Sequence, residues 1–76
     1  MTKSLNEFKI GEIGKVVKII AEGKIKRRLF DMGVTIGATI ELKKKAPLGD
    51  PLEVNLRGYE LTLRKDEAIN VLMEVE

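Results

Sequence analysis

Apolar and polar side chains alternate through most of the second half of the chain. A period of two is the pattern of a half-buried antiparallel strand. Two such runs, residues 52–57 and 59–64, are separated by Gly58, which predicts a tight hairpin. The alternation places these apolar residues on the inner face: Leu52, Val54 and Leu56 in the first run, and Tyr59, Leu61 and Leu63 in the second.

Three further strands are predicted from shorter patterns. Alternation over residues 39–43 and over residues 71–76 gives two of them. Residues 12–20 are rich in Val and Ile, which favour a pleated surface, and Gly11 and Gly14 allow that segment to bend or bulge. The count is therefore five strands.

One segment departs from the two-residue period. Ile25, Leu29 and Met32 lie at i, i+4 and i+7, the spacing of an apolar stripe on a helix that begins near Gly23. Gly33 suits the left-handed position that ends many helices, because glycine adopts positive φ without a Cβ clash. A second helical turn is predicted at residues 65–69, between the hairpin and the last strand.

Short strands spaced by glycines, with one short helix after strand one and no βαβ rhythm, predict a mainly β fold. We expect a small barrel of about five antiparallel strands, because barrel closure removes exposed strand edges. With 76 residues the chain is expected to form a single domain, residues 1–76, around one core.

The composition argues against catalysis. The chain has no His and no Cys, so the commonest general base, the thiol nucleophile and the nitrogen and sulfur ligands of transition metals are all missing. The carboxylates are expected to stand singly or on solvent faces, Glu67 among them. We therefore expect no enzymatic activity, no cofactor and no metal site. No apolar run approaches the roughly 18 residues of a membrane span, and the first residues do not resemble a signal peptide, so a cytoplasmic location is expected.

Charge is distributed unevenly along the chain. Residues 1–45 carry 11 basic and 5 acidic side chains, whereas residues 46–76 carry 3 and 7. The densest basic runs, residues 24–28 and 43–45, suit an acidic protein face, anionic lipid headgroups or phosphates, or simply form solvated surface. Few aromatic residues are available for stacking on nucleic-acid bases.

The segment 46–51 has the composition of a pre-organised loop. Pro47 and Pro51 restrict the backbone, and Gly49 allows a tight turn without steric strain. Leu48 is then displayed at the tip, where an apolar side chain loses little entropy when it binds a partner. The alternative is a rigid connector with no binding role.

Taken in order, several fragments resemble the FeoA family of ferrous iron transport proteins over residues 6 to 75. They are Arg28-Leu29, Met32-Gly33, Gly37, Ala46-Pro47-Leu48-Gly49-Asp50-Pro51, Arg57-Gly58-Tyr59, Leu63-Arg64 and Glu67-Ala68. The resemblance implies an SH3-like β-barrel with a helical insertion, in agreement with the strand and helix predictions. It also implies a cytosolic accessory protein that binds and regulates FeoB, the ferrous iron transporter, whose cytosolic portion contains a GTP-binding domain.

The expected partner contacts lie in the basic helix, in the proline-flanked loop and at three arginine positions. Lys26 and Arg27 would steer the approach and Leu48 would be the apolar anchor. The full set of candidate residues is Lys26, Arg27, Leu48, Asp50, Arg57 and Arg64. An arginine at position 27, 28, 57 or 64 would act as an arginine finger on the GTP-binding domain. Alternatively, the arginines at 28, 57 and 64 would brace the barrel by capping carbonyls or pairing with carboxylates, and Arg27 would pair with Asp31.

Two other functional hypotheses remain open at this point. The basic runs suit a small barrel that binds nucleic acid. A domain of this kind also occurs at the C-terminus of metal-dependent repressors, which suggests a stand-alone relative of that domain. The chain is expected to be a monomer or a weak oligomer that is not inserted in the membrane.

Overall fold

The computed structural model describes all 76 residues. Two helices interrupt a chain that is mostly strand, and a 3₁₀ turn at Leu5–Glu7 follows the first strand. The elements, in chain order, are β1 (Thr2–Ser4), β2 (Ile13–Ile19), α1 (Gly23–Asp31), β3 (Thr39–Lys45), β4 (Leu52–Leu56), β5 (Tyr59–Leu63), α2 (Lys65–Ala68) and β6 (Val71–Val75).

The six strands form one antiparallel sheet in the order β1-β6-β2-β3-β4-β5. The mainly β fold is confirmed, but the count of five strands was wrong. The additional strand is β1, in which Thr2 pairs with Glu74 of β6. Three residues are too short to show alternation, and their partner lies at the other end of the chain, so no local pattern marks this strand.

Two bulges and a two-residue turn shape the sheet. The pairing register shifts at Val17 in β2 and at Lys43 in β3, and bulges increase the local bend and twist. Arg57 and Gly58, with φ of 53° and 85°, connect β4 to β5. Positive φ at both central residues matches the type I′ turn that suits the twist of a hairpin.

The prediction for Tyr59 was wrong, because its side chain is 72% exposed. Tyr59 flanks the turn on the outermost strand, so no neighbouring element covers it. Leu63, at the other end of the same strand, is fully buried.

Helix α1 ends as the sequence predicts. Gly33 has a φ of 89°, and its N–H donates to the carbonyl of Phe30 at 2.9 Å. The N–H of Val34 donates to the carbonyl of Leu29, also at 2.9 Å. This pair of hydrogen bonds is the Schellman motif, in which carbonyls of the last helical turn accept N–H groups from the residues that follow the helix. Leu29 and Val34 are both fully buried, so the motif fastens the end of α1 to the core.

The core lies between the curved sheet and α1. Sixteen buried apolar residues form one cluster, and Ile25 and Met32 of the predicted helical stripe pack against it. No helix is long and apolar enough to cross a membrane.

Candidate partner-binding surface

A carboxylate buried between the two helices holds them together. The side chain of Glu67, in α2, is only 6% exposed and forms an ion pair with Arg28 of α1. Its other oxygen accepts the backbone N–H of Arg64 at 2.9 Å. One side chain therefore caps the start of α2 and joins α2 to α1.

The proline-flanked loop is attached to the same place. Asp50 Oδ1 accepts the backbone N–H of Lys65, the first residue of α2, at 3.0 Å. Within the loop, Ala46 N–H donates to the carbonyl of Pro51 at 3.1 Å, and Gly49 N–H donates to that of Ala46 at 2.7 Å. The loop is thereby closed on itself and fixed to α2.

These contacts connect three elements into one region, which we call the helix–loop surface. It comprises the α1 residues Lys24, Arg27 and Arg28, the start of α2, and the loop 46–51. A shallow depression of about 570 Å³ lies along α1 and is lined by Lys24, Arg27, Arg28, Asp31 and Met32. Leu48 stands at the tip of the loop with 90% of its surface exposed. The region offers positive charge and one exposed apolar side chain on a closed loop, the combination that suits an acidic protein partner.

Four of the six predicted contact residues lie on the elements that the Glu67 and Asp50 contacts connect. Arg27, Leu48, Asp50 and Arg64 belong to elements of the helix–loop surface. Arg27 forms no ion pair with Asp31, one turn along the helix, so its guanidinium is free to meet a partner. Asp50 has a structural task in addition, since its carboxylate already accepts a hydrogen bond from α2.

The two remaining predicted residues lie elsewhere. Lys26 is on the opposite flank of α1 from Arg28, facing β2, where it lines a separate depression with Lys18 and Ile36. Arg57 is in the β4–β5 turn, whereas the loop 46–51 leads into the other end of β4. A strand of five residues, roughly 17 Å, separates the two ends.

Glu67 is the residue that sequence reasoning misjudged, because it was assigned to solvent with the other carboxylates. Its burial depends on the docking of α1 against α2, which no local pattern records. A local signal did exist, since a glutamate three residues after the residue that precedes a helix is the second half of a capping box. Arg28 pairs with this carboxylate, which is the bracing role that the sequence suggested for an arginine.

The basic run at residues 43–45 is not a free cationic patch. Lys45 Nζ donates to the carbonyl of Phe8 at 2.8 Å and to that of Asn6 at 3.1 Å. Lys43 lies 3.5 Å from the carboxylate of Glu41, and Lys44 lies 4.0 Å from that of Glu53. One lysine of the run thus serves the fold, and the other two are partly neutralised by neighbours.

The carboxylates with lowered pKa lie away from the helix–loop surface and have structural causes. A hydrogen bond from the Ser4 hydroxyl lowers the pKa of Glu7. A hydrogen bond from the Lys3 ammonium, at 2.8 Å, lowers the pKa of Glu12, and one from the Thr2 hydroxyl lowers that of Glu74. No three acidic side chains come together in a way that would hold a metal ion.

Comparison with known proteins places this architecture in a family. The model of the FeoA domain matches residues 3–75. The solution structure of an FeoA-like protein from Clostridium acetobutylicum is 46% identical, with a TM-score of 0.89 over 97% of this chain and 86% of that one. The crystal structure of FeoA from Stenotrophomonas maltophilia, described as an SH3 domain protein complexed with zinc, is 28% identical, with a TM-score of 0.81 over 93% and 88% of the two chains.

A longer relative joins this domain to a transporter. The Fe(2+) transport protein A/Fe(2+) transporter FeoB fusion protein of Porphyromonas gingivalis is 30% identical over 71 residues. The match covers 93% of this chain but only 8% of that protein. A manganese-dependent transcriptional repressor, with a TM-score of 0.91 at 14% identity, shares the fold.

Proposed function

The chain belongs to the FeoA domain family of ferrous iron transport proteins, and on that premise we propose that it binds the cytosolic portion of a FeoB-type transporter through the helix–loop surface. The observation that carries the proposal is the Porphyromonas gingivalis relative, in which a similar domain and the transporter occupy one polypeptide. Covalent fusion keeps two partners at a high effective concentration, as expected for domains that act together. The proposed location is the cytoplasmic side, and the proposed role is regulatory rather than catalytic.

The helix–loop surface supports this role in two ways. Its parts are fixed by the Glu67 and Asp50 hydrogen bonds, so little conformational entropy is lost when a partner binds. It also combines Arg27, which has no partner within the chain, with the 90% exposed Leu48. The charge would accelerate association with an acidic face, and the leucine would provide a buried contact.

Nucleic-acid binding receives less support. Lys45 is engaged by backbone carbonyls, and Lys43 and Lys44 lie beside carboxylates, so the densest lysine run contributes little free charge. Phosphate contacts dominate nonspecific affinity for nucleic acids, and that affinity rises with the number of free cations. The likeness to the repressor concerns the fold alone.

An NMR titration tests the proposal. Labelled protein is titrated with the purified transporter in detergent, with and without a GTP analogue, and residues 24–33 and 46–51 are followed. We expect perturbations in both ranges. Their absence in every nucleotide state would contradict the proposal.

Matched charge reversals locate the surface. Arg27→Glu is expected to weaken binding roughly tenfold, the equivalent of about 1.4 kcal/mol. Arg57→Glu makes the same charge change at the distant hairpin turn and is expected to leave affinity within about twofold. Leu48→Ala is expected to weaken binding by a similar factor of roughly ten, mainly through faster dissociation. Equal effects of the two arginine reversals would show that only net charge matters.

A further inference from the structure

The flank of α1 that faces β2 forms a second surface, which the helix–loop surface does not include. Lys26 and Phe30 are one helical turn apart on this flank, and Lys18, Ile19, Thr35 and Ile36 complete it. We call it the α1–β2 patch. Phe30 is 67% exposed and Ile36 is 71% exposed, although both are large apolar side chains. Two such side chains exposed side by side in one small domain point to a binding role.

The charge around these apolar side chains is unpartnered. Lys18 and Lys26 form neither an ion pair nor a side-chain hydrogen bond, whereas Lys3, Lys43, Lys44 and Lys45 each have a partner. Arg27 borders the patch and is also free, and Asp31 is the acidic side chain nearest to it on the helix. The patch is therefore apolar at its centre and positive at its edge.

These properties restrict what can cover the patch. A second copy placed across a two-fold axis would put four lysines, Lys18 and Lys26 of each copy, around one interface, and this concentration of like charge opposes self-association. The depression between the side chains measures about 240 Å³, below the range of ordinary ligand pockets. Phe30 and Ile36 are mostly exposed, so both side chains are accessible to a partner surface.

We propose that the α1–β2 patch contacts an anionic lipid bilayer, with Phe30 and Ile36 entering the headgroup region and Lys18 and Lys26 meeting lipid phosphates. Aromatic and aliphatic side chains flanked by lysine and arginine are the combination that holds proteins at bilayer surfaces. The long lysine stems also reach phosphates without a fixed geometry. The contact is weak and reversible, because two side chains insert less apolar surface than one fatty-acyl chain.

The inference goes beyond the proposed function and is tested separately from it, since the vesicles used contain no transporter. The natural sequence has no tryptophan, so one introduced tryptophan reports its own surroundings. Phe30→Trp places the reporter in the patch, and Leu48→Trp places it at the loop tip, which is also exposed, as the control. Both variants are mixed at low salt with vesicles of phosphatidylcholine, with or without phosphatidylglycerol.

With phosphatidylglycerol vesicles, the tryptophan fluorescence of the Phe30→Trp variant is expected to shift to shorter wavelength, while that of the Leu48→Trp variant is expected to stay unchanged. The shift should disappear with pure phosphatidylcholine and at about 1 M salt, where the Debye length falls to about 3 Å. Lys18→Glu/Lys26→Glu in the Phe30→Trp background should lower the lipid affinity at least tenfold. Lys43→Glu/Lys44→Glu, with the same change in net charge, should lower it no more than about threefold.

Three results would overturn the proposal. They are no association of the protein with phosphatidylglycerol vesicles at low salt, equal shifts in the two tryptophan variants, and equal losses from the two double reversals. If the vesicles fail to bind but Lys18→Glu/Lys26→Glu reduces capture by the transporter, the patch contacts an acidic protein and the lipid assignment is wrong. Circular dichroism of each variant verifies that the fold is intact.

Discussion

The most informative perturbation of this fold is the removal of the Glu67 carboxylate. Its side chain is 6% exposed, accepts the Arg64 N–H at 2.9 Å and pairs with Arg28. In Glu67→Ala the Arg64 N–H loses its acceptor, and a charged hydrogen bond of this kind contributes about 1.5–3 kcal/mol. The ion pair with Arg28 contributes less, because Arg28 is 61% exposed and solvent-screened pairs are worth about 0.2–1 kcal/mol.

We therefore expect Glu67→Ala to lower the free energy of unfolding by about 2–3 kcal/mol. That is a large fraction of the roughly 4–11 kcal/mol typical of a chain this size. The corresponding fall in Tm is roughly 8–24 °C. Glu67→Gln keeps an oxygen that can accept the Arg64 N–H, so its cost should be nearer to about 1 kcal/mol. Arg28→Leu should cost less than about 1 kcal/mol.

Urea unfolding followed by circular dichroism, at low and high salt, measures all three variants and the double variant Arg28→Leu/Glu67→Ala. High salt should reduce the coupling between positions 28 and 67 and leave most of the Glu67→Ala loss in place, because hydrogen bonds in a partly buried cap are screened little. The reasoning is refuted if Arg28→Leu costs as much as Glu67→Ala. The ion pair would then be the stabilising contact, and the helix cap would contribute little.

Three further predictions concern the backbone and the titrating carboxylates. Gly14→Ala should destabilise by about 3 kcal/mol, because a Cβ would lie 2.5 Å from the carbonyl oxygen of Glu74. A urea midpoint close to that of the natural sequence would contradict this prediction. Gly33→Ala should cost about 1–2 kcal/mol because φ is 89°, and its Cβ would approach Leu56 to 3.3 Å; Gly33→Asn should cost less in the same thermal melts, since asparagine tolerates this conformation. Three carboxylates have lowered pKa values in the folded state: Glu7, Glu12 and Glu74. Their contribution to the free energy of unfolding should be fully present above the ordinary glutamate pKa of 4.5. It should be lost as the pH falls further, because the folded protein must then protonate these carboxylates. Replacing all three by Gln should flatten that acid limb of the unfolding profile, and an unchanged slope would count against the assigned hydrogen bonds.

Much of the local structure was predictable because it depends on neighbours in the sequence. The alternation at residues 52–56 predicted β4 and its buried face, since side chains two apart share a side of any strand. The stripe at Ile25, Leu29 and Met32 predicted α1, and Gly33 predicted its end, because the Schellman hydrogen bonds join residues five or fewer apart.

The candidate surface was predictable only in part. Leu48 was expected at an exposed tip from its flanking prolines, and its side chain is 90% exposed. The attachment of its loop to α2 was not predictable, because it depends on the hydrogen bond between Asp50 and Lys65, which are 15 residues apart. The separation of Arg57 from the other predicted contacts depends on the pairing of β4 with β5.

The sequence alone determined the mainly β class, the position of α1, most strand faces and the absence of histidine and cysteine chemistry. These are properties of residue types and of short-range periodicity, and they do not depend on what packs against them. Only the tertiary structure decided that Thr2–Ser4 pairs with β6, that Glu67 is buried beneath Arg28, and that Phe30 and Ile36 remain exposed together. Each of these depends on contacts between segments far apart in the chain. The residues next to a carboxylate or a phenylalanine in the sequence do not show whether another element of the fold covers it.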